Sequence, residues 1–459
     1  MSDPFRRAAF EILRKSESSK TPLDILLTEW RAKKKHEERD RAFVFELTLG
    51  VTRWKMSLDY IIGKFSDRPV EKLGTAPLIL LRMGVYQLAS MDKVPPYAAV
   101  NEMVNLAKSN PDTRKAAGYV NAILRNLIRR VKLGSPRPSI AEIVKSLSGG
   151  KTTPAGLLAE AYSFPAWLCN RWVDRFGKQM AESVIAASNE QAPVFFRMNP
   201  LKAPEADNEK LMGRWGISAE KFPLAPWGYR LTSGKITPGL GLFDEGYAQP
   251  QDGSSMIAAS LLEIKPGQVV ADICCGKGIK SGFFAARMEN RGLIFSMDSS
   301  TRKFSAFAEN MARQGITICH PVVADAAEHW PLKKPAQAVF IDAPCSATGV
   351  FRRHPEGKWN KTPATVERMA ELQGRMLDSA VKSLAPGGAL VYAVCSIEPE
   401  EGVDQVERLI ASNPAITRDD IKSGRPELEP FITDQGDLFI LPGQGGMDGF
   451  FATRLVKAL

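Results

Sequence analysis

Residues 269–281 read Val269-Val270-Ala271-Asp272-Ile273-Cys274-Cys275-Gly276-Lys277-Gly278-Ile279-Lys280-Ser281. An apolar β-branched run stops on two cysteines, turns through two glycines and enters a helical pattern, so the stretch predicts strand, tight loop and helix. A glycine loop in that position lets backbone amides approach an anionic group, and the helix N-terminus favours negative charge there. Two familiar phosphate loops are excluded, because neither GxGxxG nor GxxxxGK[ST] occurs. Outward from this loop, apolar runs at 293–298, 317–323, 338–343 and 390–395 alternate with helical patterns. That alternation from residue 251 onward predicts a doubly wound, Rossmann-like parallel sheet. The runs at 437–441 and 449–455 lie a turn apart and predict a terminal hairpin, so the last strand is antiparallel.

Two of the runs end on thiols. Cys345 lies in Phe340-Ile341-Asp342-Ala343-Pro344-Cys345-Ser346 and Cys395 in Tyr392-Ala393-Val394-Cys395-Ser396. Residues at the carboxyl ends of parallel strands face the ligand crevice, and two such cysteines, each followed by serine, suggest a nucleophile with a helper. A buried cysteine taken singly is a small hydrophobe, and Cys169 and Cys319 are read that way. Acids end or follow the second, third and fourth strands, at Asp298, Asp325 and Asp342. The six cysteines form no CxxC pair and the four histidines are scattered, so no metal site is expected. Reduced thiols suit a reducing compartment.

The chain of 459 residues is too long for a single core. No run approaches the roughly 18 apolar residues of a membrane span, and the first ten residues lack the apolar core of a signal peptide. A cytoplasmic monomer is expected. The net charge of +10 is unevenly spread: residues 1–140 hold 26 Lys and Arg against 15 Asp and Glu, and the remainder is nearly neutral. A basic module beside a neutral one suits a nucleic-acid-binding part attached to a catalytic part, the competing reading being a solvated basic face. Helical periodicity at 6–13, 23–30, 40–50, 57–63, 78–89, 98–109 and 118–130 makes the basic part an all-α bundle over residues 1–135. Its last helix carries Arg125, Arg129 and Arg130 toward a phosphate-facing edge. Residues 133–139 and 148–154 read as linkers. Residues 155–250 read as a small α+β module with helices near 165–187 and 208–215 and a strand at 194–199, and 251–459 as the parallel-sheet domain.

On these residues the chain resembles the RNA cytosine-5 methyltransferases of the Sun/RsmB type. The likeness runs through Gln251-Asp252-Gly253-Ser254-Ser255-Met256, the loop 272–281, Asp342-Ala343-Pro344-Cys345-Ser346, Arg352-Arg353-His354-Pro355, Cys395-Ser396-Ile397-Glu398-Pro399-Glu400-Glu401 and Asp448-Gly449-Phe450-Phe451. Arg197-Met198-Asn199-Pro200-Leu201-Lys202 resembles the family's Arg-x-Asn-x-x-Lys segment. The first 130 residues resemble the NusB-like RNA-binding domain, through Phe45 to Arg53, Leu81 to Leu88, Val94-Pro95, Ala98 to Glu102 and Val120 to Arg125. One departure stands out: the family loop usually reads Cys-Ala-Ala-Pro-Gly-Gly-Lys, and here Lys277 replaces the proline and Ile279 a glycine.

The resemblance implies S-adenosylmethionine as cofactor, held by Cys274, Cys275, Gly276, Lys277, Gly278, Ile279 and Lys280, with Asp298 and Lys303 toward the ribose, Asp325 toward the adenine, and Asp342. It implies small-subunit ribosomal RNA as partner, contacted by Arg125, Arg129, Arg130, Arg197, Asn199, Lys202, Arg352, Arg353 and His354. Cytosine carbon 5 is a poor nucleophile, so a thiolate must first add to carbon 6. The resemblance assigns that attack to Cys395 and product release to Cys345. Asp342 would hydrogen-bond the base, and Lys280 would either pair with Asp342 or polarise the ring. An RNA-binding assembly factor with lost activity is one alternative, suggested by the altered loop. A DNA cytosine-5 methyltransferase acting through the Pro-Cys thiol is another, and the basic helical module and Cys395 argue against it.

Overall fold

The computed structural model describes residues 3–19, 21–33, 36–131, 137–149, 153–237, 239–328, 330, 332 and 334–459. They form two compact units, one of residues up to 190 with 354–360, the other of 191–353 with 361–459. No helix among the described residues is long and apolar enough to cross a membrane.

The first unit opens with α1 (Pro4–Ser19), α2 (Leu23–Lys33), α3 (Glu38–Arg53), α4 (Lys55–Phe65), α5 (Thr75–Ser90), α6 (Pro96–Ser109) and α7 (Ala117–Arg130). All seven expected helices are present, most of them longer than their apolar stripe, because helix ends are polar and carry no periodicity. Helix α5 is buried continuously from Ile79 to Ala89, as befits a helix apolar on every side and surrounded by others. Its Arg82 is satisfied by both oxygens of Asp59 at 2.7 Å and by Glu17 at 3.2 Å. Helix α7 buries Val120, Ile123, Leu124 and Leu127 and exposes Arg125, Arg129 and Arg130. No carboxylate pairs with these three arginines among the described residues.

The first compact unit continues past the boundary expected near residue 135. Residues 133–136 and 150–152 of the expected linkers lie outside the described residues, but α8 (Ile140–Leu147) and α9 (Pro154–Tyr162) occupy the span around them. Ser139 and Glu142 close a capping box at the start of α8. Ile140, Ala141, Ile143 and Val144 join the same apolar cluster as α1–α7, so burial extends the helical unit. It also takes in α10 (Ala166–Ala187), broken at Gly177 with φ 74°, which the sequence had assigned to the middle module.

The second unit starts with a four-stranded antiparallel sheet in the order β2-β3-β1-β4: β1 (Phe195–Met198), β2 (Ser218–Lys221), β3 (Gly228–Ser233) and β4 (Ala248–Pro250). The expected helix at 208–215 is present as Asn208–Arg214. An eight-stranded sheet follows, made of β5 (Val269–Ile273), β6 (Leu293–Asp298), β7 (Cys319–Val323), β8 (Ala336–Asp342), β9 (Leu384–Val394), β10 (Ile416–Arg418), β11 (Leu438–Ile440) and β12 (Phe450–Lys457). Its order is β10-β12-β9-β8-β5-β6-β7, with β11 paired to β12. Strands β5 to β9 run parallel, and β12 is antiparallel to β9. The hairpin is thus the expected one, with β12 wedged between β9 and the unforeseen β10.

The order reverses between β5 and β8, and such a switch point opens a crevice at the strands' carboxyl ends. Three close approaches pin the loop after β8 there. Gly349 N donates to Cys395 O at 3.1 Å and Gly449 N to Gly349 O at 2.9 Å, while a Cβ on Gly349 would sit 2.1 Å from Gly449 O. Glycine is therefore demanded by space. Gly349→Val is expected to cost about 1–3 kcal/mol through overpacking, read as a lower urea midpoint; an unchanged midpoint would show that the loop gives way freely.

Candidate active site

Strand β5 delivers Asp272 and the glycine loop to the crevice. Cys274 takes the left-handed region at φ 61°, with Gly276 at 57° and Gly278 at 77°. The non-glycine conformation at Cys274 costs on the order of 1–3 kcal/mol and is fixed by neighbours: Cys275 N donates to Met297 O and Gly278 N to Cys275 O, both at 2.9 Å. Gly278 is required twice over, since a Cβ there would meet Phe307 and Met311 at 2.7 Å. Lys277 is exposed at the rim, and helix Ile279–Arg287 starts at the next glycine.

A cavity of about 510 Å³ opens beside the loop, bordered by Asp272, Cys275, Lys280, Asp342, Cys395 and Asp448 among others. That volume lies within the roughly 300–1,000 Å³ of small-molecule sites. Asp272 is fully buried; burial pushes its carboxyl up to about 7, against the opposing pull of the Ser281 hydroxyl and Lys280. Ser281 Oγ donates to its Oδ2 at 2.5 Å, while Oδ1 has no partner among the described residues. Lys280 Nζ donates to Asp342 Oδ2 at 2.6 Å. Burial opposes the Lys280 charge, but Asp342, then Asp272 and Cys395, outweigh it and raise its pKa.

Parallel pairing of β8 with β9 sets Asp342 opposite Ala393, and Ala343 N continues the ladder to Ala393 O at 3.0 Å. Cys345 and Cys395 follow within three residues of that pair, and their sulfurs lie 3.3 Å apart. Contact with the Cys395 sulfur, then burial, then the negative charge of Glu401 raise the Cys345 thiol well above its ordinary value. The Cys274 thiol is pushed up to about 12, by burial first and nearby acids second.

The structure brings together Cys274, Cys275, Gly276, Lys277, Ile279, Lys280, Asp342, Arg353 and Cys395 around one cavity. Other expected site residues sit elsewhere. Asp298, nearly buried, accepts from Gly276 N at 3.1 Å, Ser300 N at 2.9 Å and Lys303 Nζ at 2.9 Å, so it anchors the loop. Asp325 is exposed after β7 and accepts from Ala327 N at 3.0 Å.

Several residues expected to contact RNA have protein partners in this structure. Arg197 is fully buried, with Nε on Gln251 Oε1 and Nη2 on Ile279 O and Gln314 Oε1, each at 3.1 Å; its guanidinium braces the cofactor-loop helix. Asn199 is likewise buried, its Nδ2 donating at 3.0 Å to Gly246 O and Gln314 O. Arg352 is buried against Asp448 and donates to Gly446 O at 2.7 Å. Arg353 pairs with Asp448 and, at 2.7 Å, with Asp252. Lys202 is exposed. His354 is exposed too, but it belongs to the helical unit. The sequence reading missed Asp272 as a site residue, although an acid inside Val-Val-Ala-Asp-Ile is a signal in itself. It also passed over Glu401, a buried acid in a motif already noted. Among the described residues, no group of three His, Cys, Asp or Glu could hold a metal ion.

Comparison with known proteins covers the whole chain. Family models match as 16S rRNA methyltransferase RsmB/F over residues 259–456, NusB family over 3–129, and a RsmF/B-like methyltransferase ferredoxin-like domain over 164–236. A probable ribosomal RNA small subunit methyltransferase B of Bacillus subtilis is 32% identical over 98% of both chains. The protein of the same description from Synechocystis is 31% identical over 99% of both. In fold, a crystal structure of PH0851 aligns over 100% of both chains with TM-score 0.79 at 22% identity. That of NSun6 from Pyrococcus horikoshii with SFG aligns over 64% of this chain and 99% of its own with TM-score 0.58 at 22% identity. A switch-point cavity floored by a glycine loop, and relatives at this identity over nearly the full length, have one common explanation: the chain belongs to the RsmB/F family of 16S ribosomal RNA methyltransferases.

Proposed function

We propose that the protein methylates carbon 5 of a cytosine in small-subunit ribosomal RNA, with S-adenosylmethionine as methyl donor, Cys395 as nucleophile and Cys345 as the group that assists release. The 3.3 Å approach of the Cys345 sulfur to that of Cys395, which borders the cavity, carries this reading. Bound there, S-adenosylmethionine supplies an electrophilic methyl group. The site fits it: the orphaned Oδ1 of Asp272 would accept from the ammonium, and the amides of the helix N-terminus after Gly278 would meet the carboxylate.

Cytosine has to leave any stack to reach this crevice. Cys395 adds through sulfur to carbon 6, which moves an electron pair onto carbon 5 as an enamine, and carbon 5 then takes the methyl. Asp342, held by Lys280, accepts from the exocyclic amine and fixes the ring. The Lys280 charge also interacts favourably with a thiolate at Cys395. Loss of the carbon-5 proton to solvent leaves its electron pair to re-form the carbon 5–carbon 6 double bond, which breaks the sulfur–carbon 6 bond and expels the Cys395 sulfur. Cys345, whose raised pKa keeps its proton, stands beside the departing sulfur and can protonate it. The exposed arginines of α7 and Lys202 are the groups suited to backbone phosphates.

Labelled methyl transfer to unmodified small-subunit RNA is the direct test. Cys395→Ala is expected to abolish transfer, and Cys345→Ala to accumulate an RNA adduct that survives a denaturing gel. Adduct from Cys395→Ala instead would reverse the two roles, and no transfer by the wild type would falsify the reading.

Asp272 gives a pH signature. Its folded pKa lies above the ordinary value, so its contribution to stability is full below about pH 4 and is lost as pH rises through about 7. Its ionised form binds an ammonium, so affinity for S-adenosylhomocysteine should rise between pH 6 and 8. Calorimetry of Asp272→Asn is expected to show weaker binding with that rise removed; a variant retaining the wild-type profile would take Asp272 out of the site.

A further inference from the structure

We propose that Glu401 is the positioning residue of the thiol pair, fixing the Cys345 and Cys395 sulfurs 3.3 Å apart through the serine that follows each. Glu401 is fully buried. Its Oε1 accepts from Ser346 N at 2.6 Å and from Gln373 Nε2 at 3.3 Å. Its Oε2 accepts from the hydroxyls of both Ser346 and Ser396, which lie 3.2 Å from each other. Thr348 extends the clasp, with Oγ1 3.1 Å from Ser396 Oγ and accepting from Ile397 N at 3.1 Å. Tyr392 at the end of β9 donates to the Glu401 carbonyl at 2.6 Å, so the acid is itself held by the strand that presents Cys395.

No cation pairs with Glu401 among the described residues. A buried carboxylate is expensive unless its hydrogen bonds are made, and this one meets that demand with donors drawn almost wholly from the two thiol loops. The sulfurs sit just beyond the ends of separate strands, so their separation depends on how the two following loops are tied together. One carboxylate shared by the adjacent serines makes that tie. The charge has a second consequence, since it adds to the forces that keep the proton on Cys345. Lys280, by contrast, borders the same cavity as Cys395 and interacts with it electrostatically. The clasp therefore sets both the distance between the thiols and the difference between them. Its value to catalysis rests on the two-thiol reading above, but its existence can be tested without it.

The test compares Glu401→Ala and Glu401→Gln with wild type in the full-length protein. The rate of intramolecular Cys345–Cys395 disulfide formation under diamide reads the sulfur geometry. Iodoacetamide labelling of each cysteine against pH, by peptide mass spectrometry, reads the charge. Glu401→Ala is expected to slow the disulfide at least about tenfold, because proximity is what accelerates it, while S-adenosylhomocysteine still binds. Glu401→Gln keeps part of the hydrogen bonding, so it should restore most of the disulfide rate and shift Cys345 labelling to lower pH. For methyl transfer the expected loss in Glu401→Ala is about a hundredfold in kcat with little change in KM for RNA. Should Glu401→Ala lose cofactor binding through misfolding, the Ser346→Ala/Ser396→Ala double variant carries the same expectations. Wild-type disulfide rates and labelling profiles in these variants would overturn the proposal. A wild-type protein that transfers no methyl, yet whose thiols respond to position 401 as described, would overturn the functional reading and leave the clasp standing.

Discussion

The pairing of β8 with β9 is the constraint on which the site depends. These strands are parallel neighbours with Asp342 opposite Ala393, so whatever follows each emerges on the same side of the sheet within one strand spacing of roughly 4.8 Å. A slip of one residue would turn every side chain of β9 to the other face. Register is therefore protected by burial: Phe340 and Ile341 on one strand and Val391, Tyr392 and Val394 on the other are wholly enclosed. The antiparallel β12 secures β9 from its far side over six paired residues.

Electrostatics then divides the labour inside the crevice. Asp272, Asp342 and Lys280 border the cavity, and burial makes each charge felt strongly. Lys280 joins Asp342 directly and moderates the repulsion among the acids. Asp298 is neutralised by the loop amides and Lys303, which makes it a structural anchor of the glycine loop. Asp272 alone retains an unsatisfied oxygen beside the cavity. Its strained position is the mark of a group prepared for a cationic ligand, because burial without a partner is otherwise unfavourable.

Much of this was legible in the sequence where periodicity carries the information. The seven helices of the bundle and the five parallel strands each had a stripe or run of their own. That helical packing continues past 135 was not legible, because Gly, Pro and Ser near a chain segment describe its local conformation and say nothing of where the next helix packs; α8 buries its face in the preceding core. The protein partners of the arginines were not legible for a related reason. A long cationic side chain in a motif can point outward to a phosphate or inward to a carbonyl, and one-dimensional patterning does not distinguish them. Arg197 did carry a clue, lying inside Phe195-Phe196-Arg197-Met198, where all four residues are buried. Arg352 had none, since its partner Asp448 is 96 residues away.

The altered glycine loop invites the view that the cofactor site has decayed, and its geometry argues the opposite. A loop of this kind needs a turn at two positions and a clear approach for backbone amides. Gly276 and Gly278 both adopt left-handed conformations, and Gly278 fits against Phe307 and Met311 where no Cβ could. Residue 277 points to the exposed rim, so lysine serves there as well as proline. Its carbonyl is capped by Asn310 at 3.1 Å. Residue 279 opens the helix, where a β-branched side chain is tolerated, and its carbonyl is taken by Arg197. Gly282 completes the arrangement, since a Cβ there would approach Arg197 Nη2 to 2.8 Å. The two substitutions thus fall at the positions that the loop's conformation leaves free, and those it cannot spare are glycine.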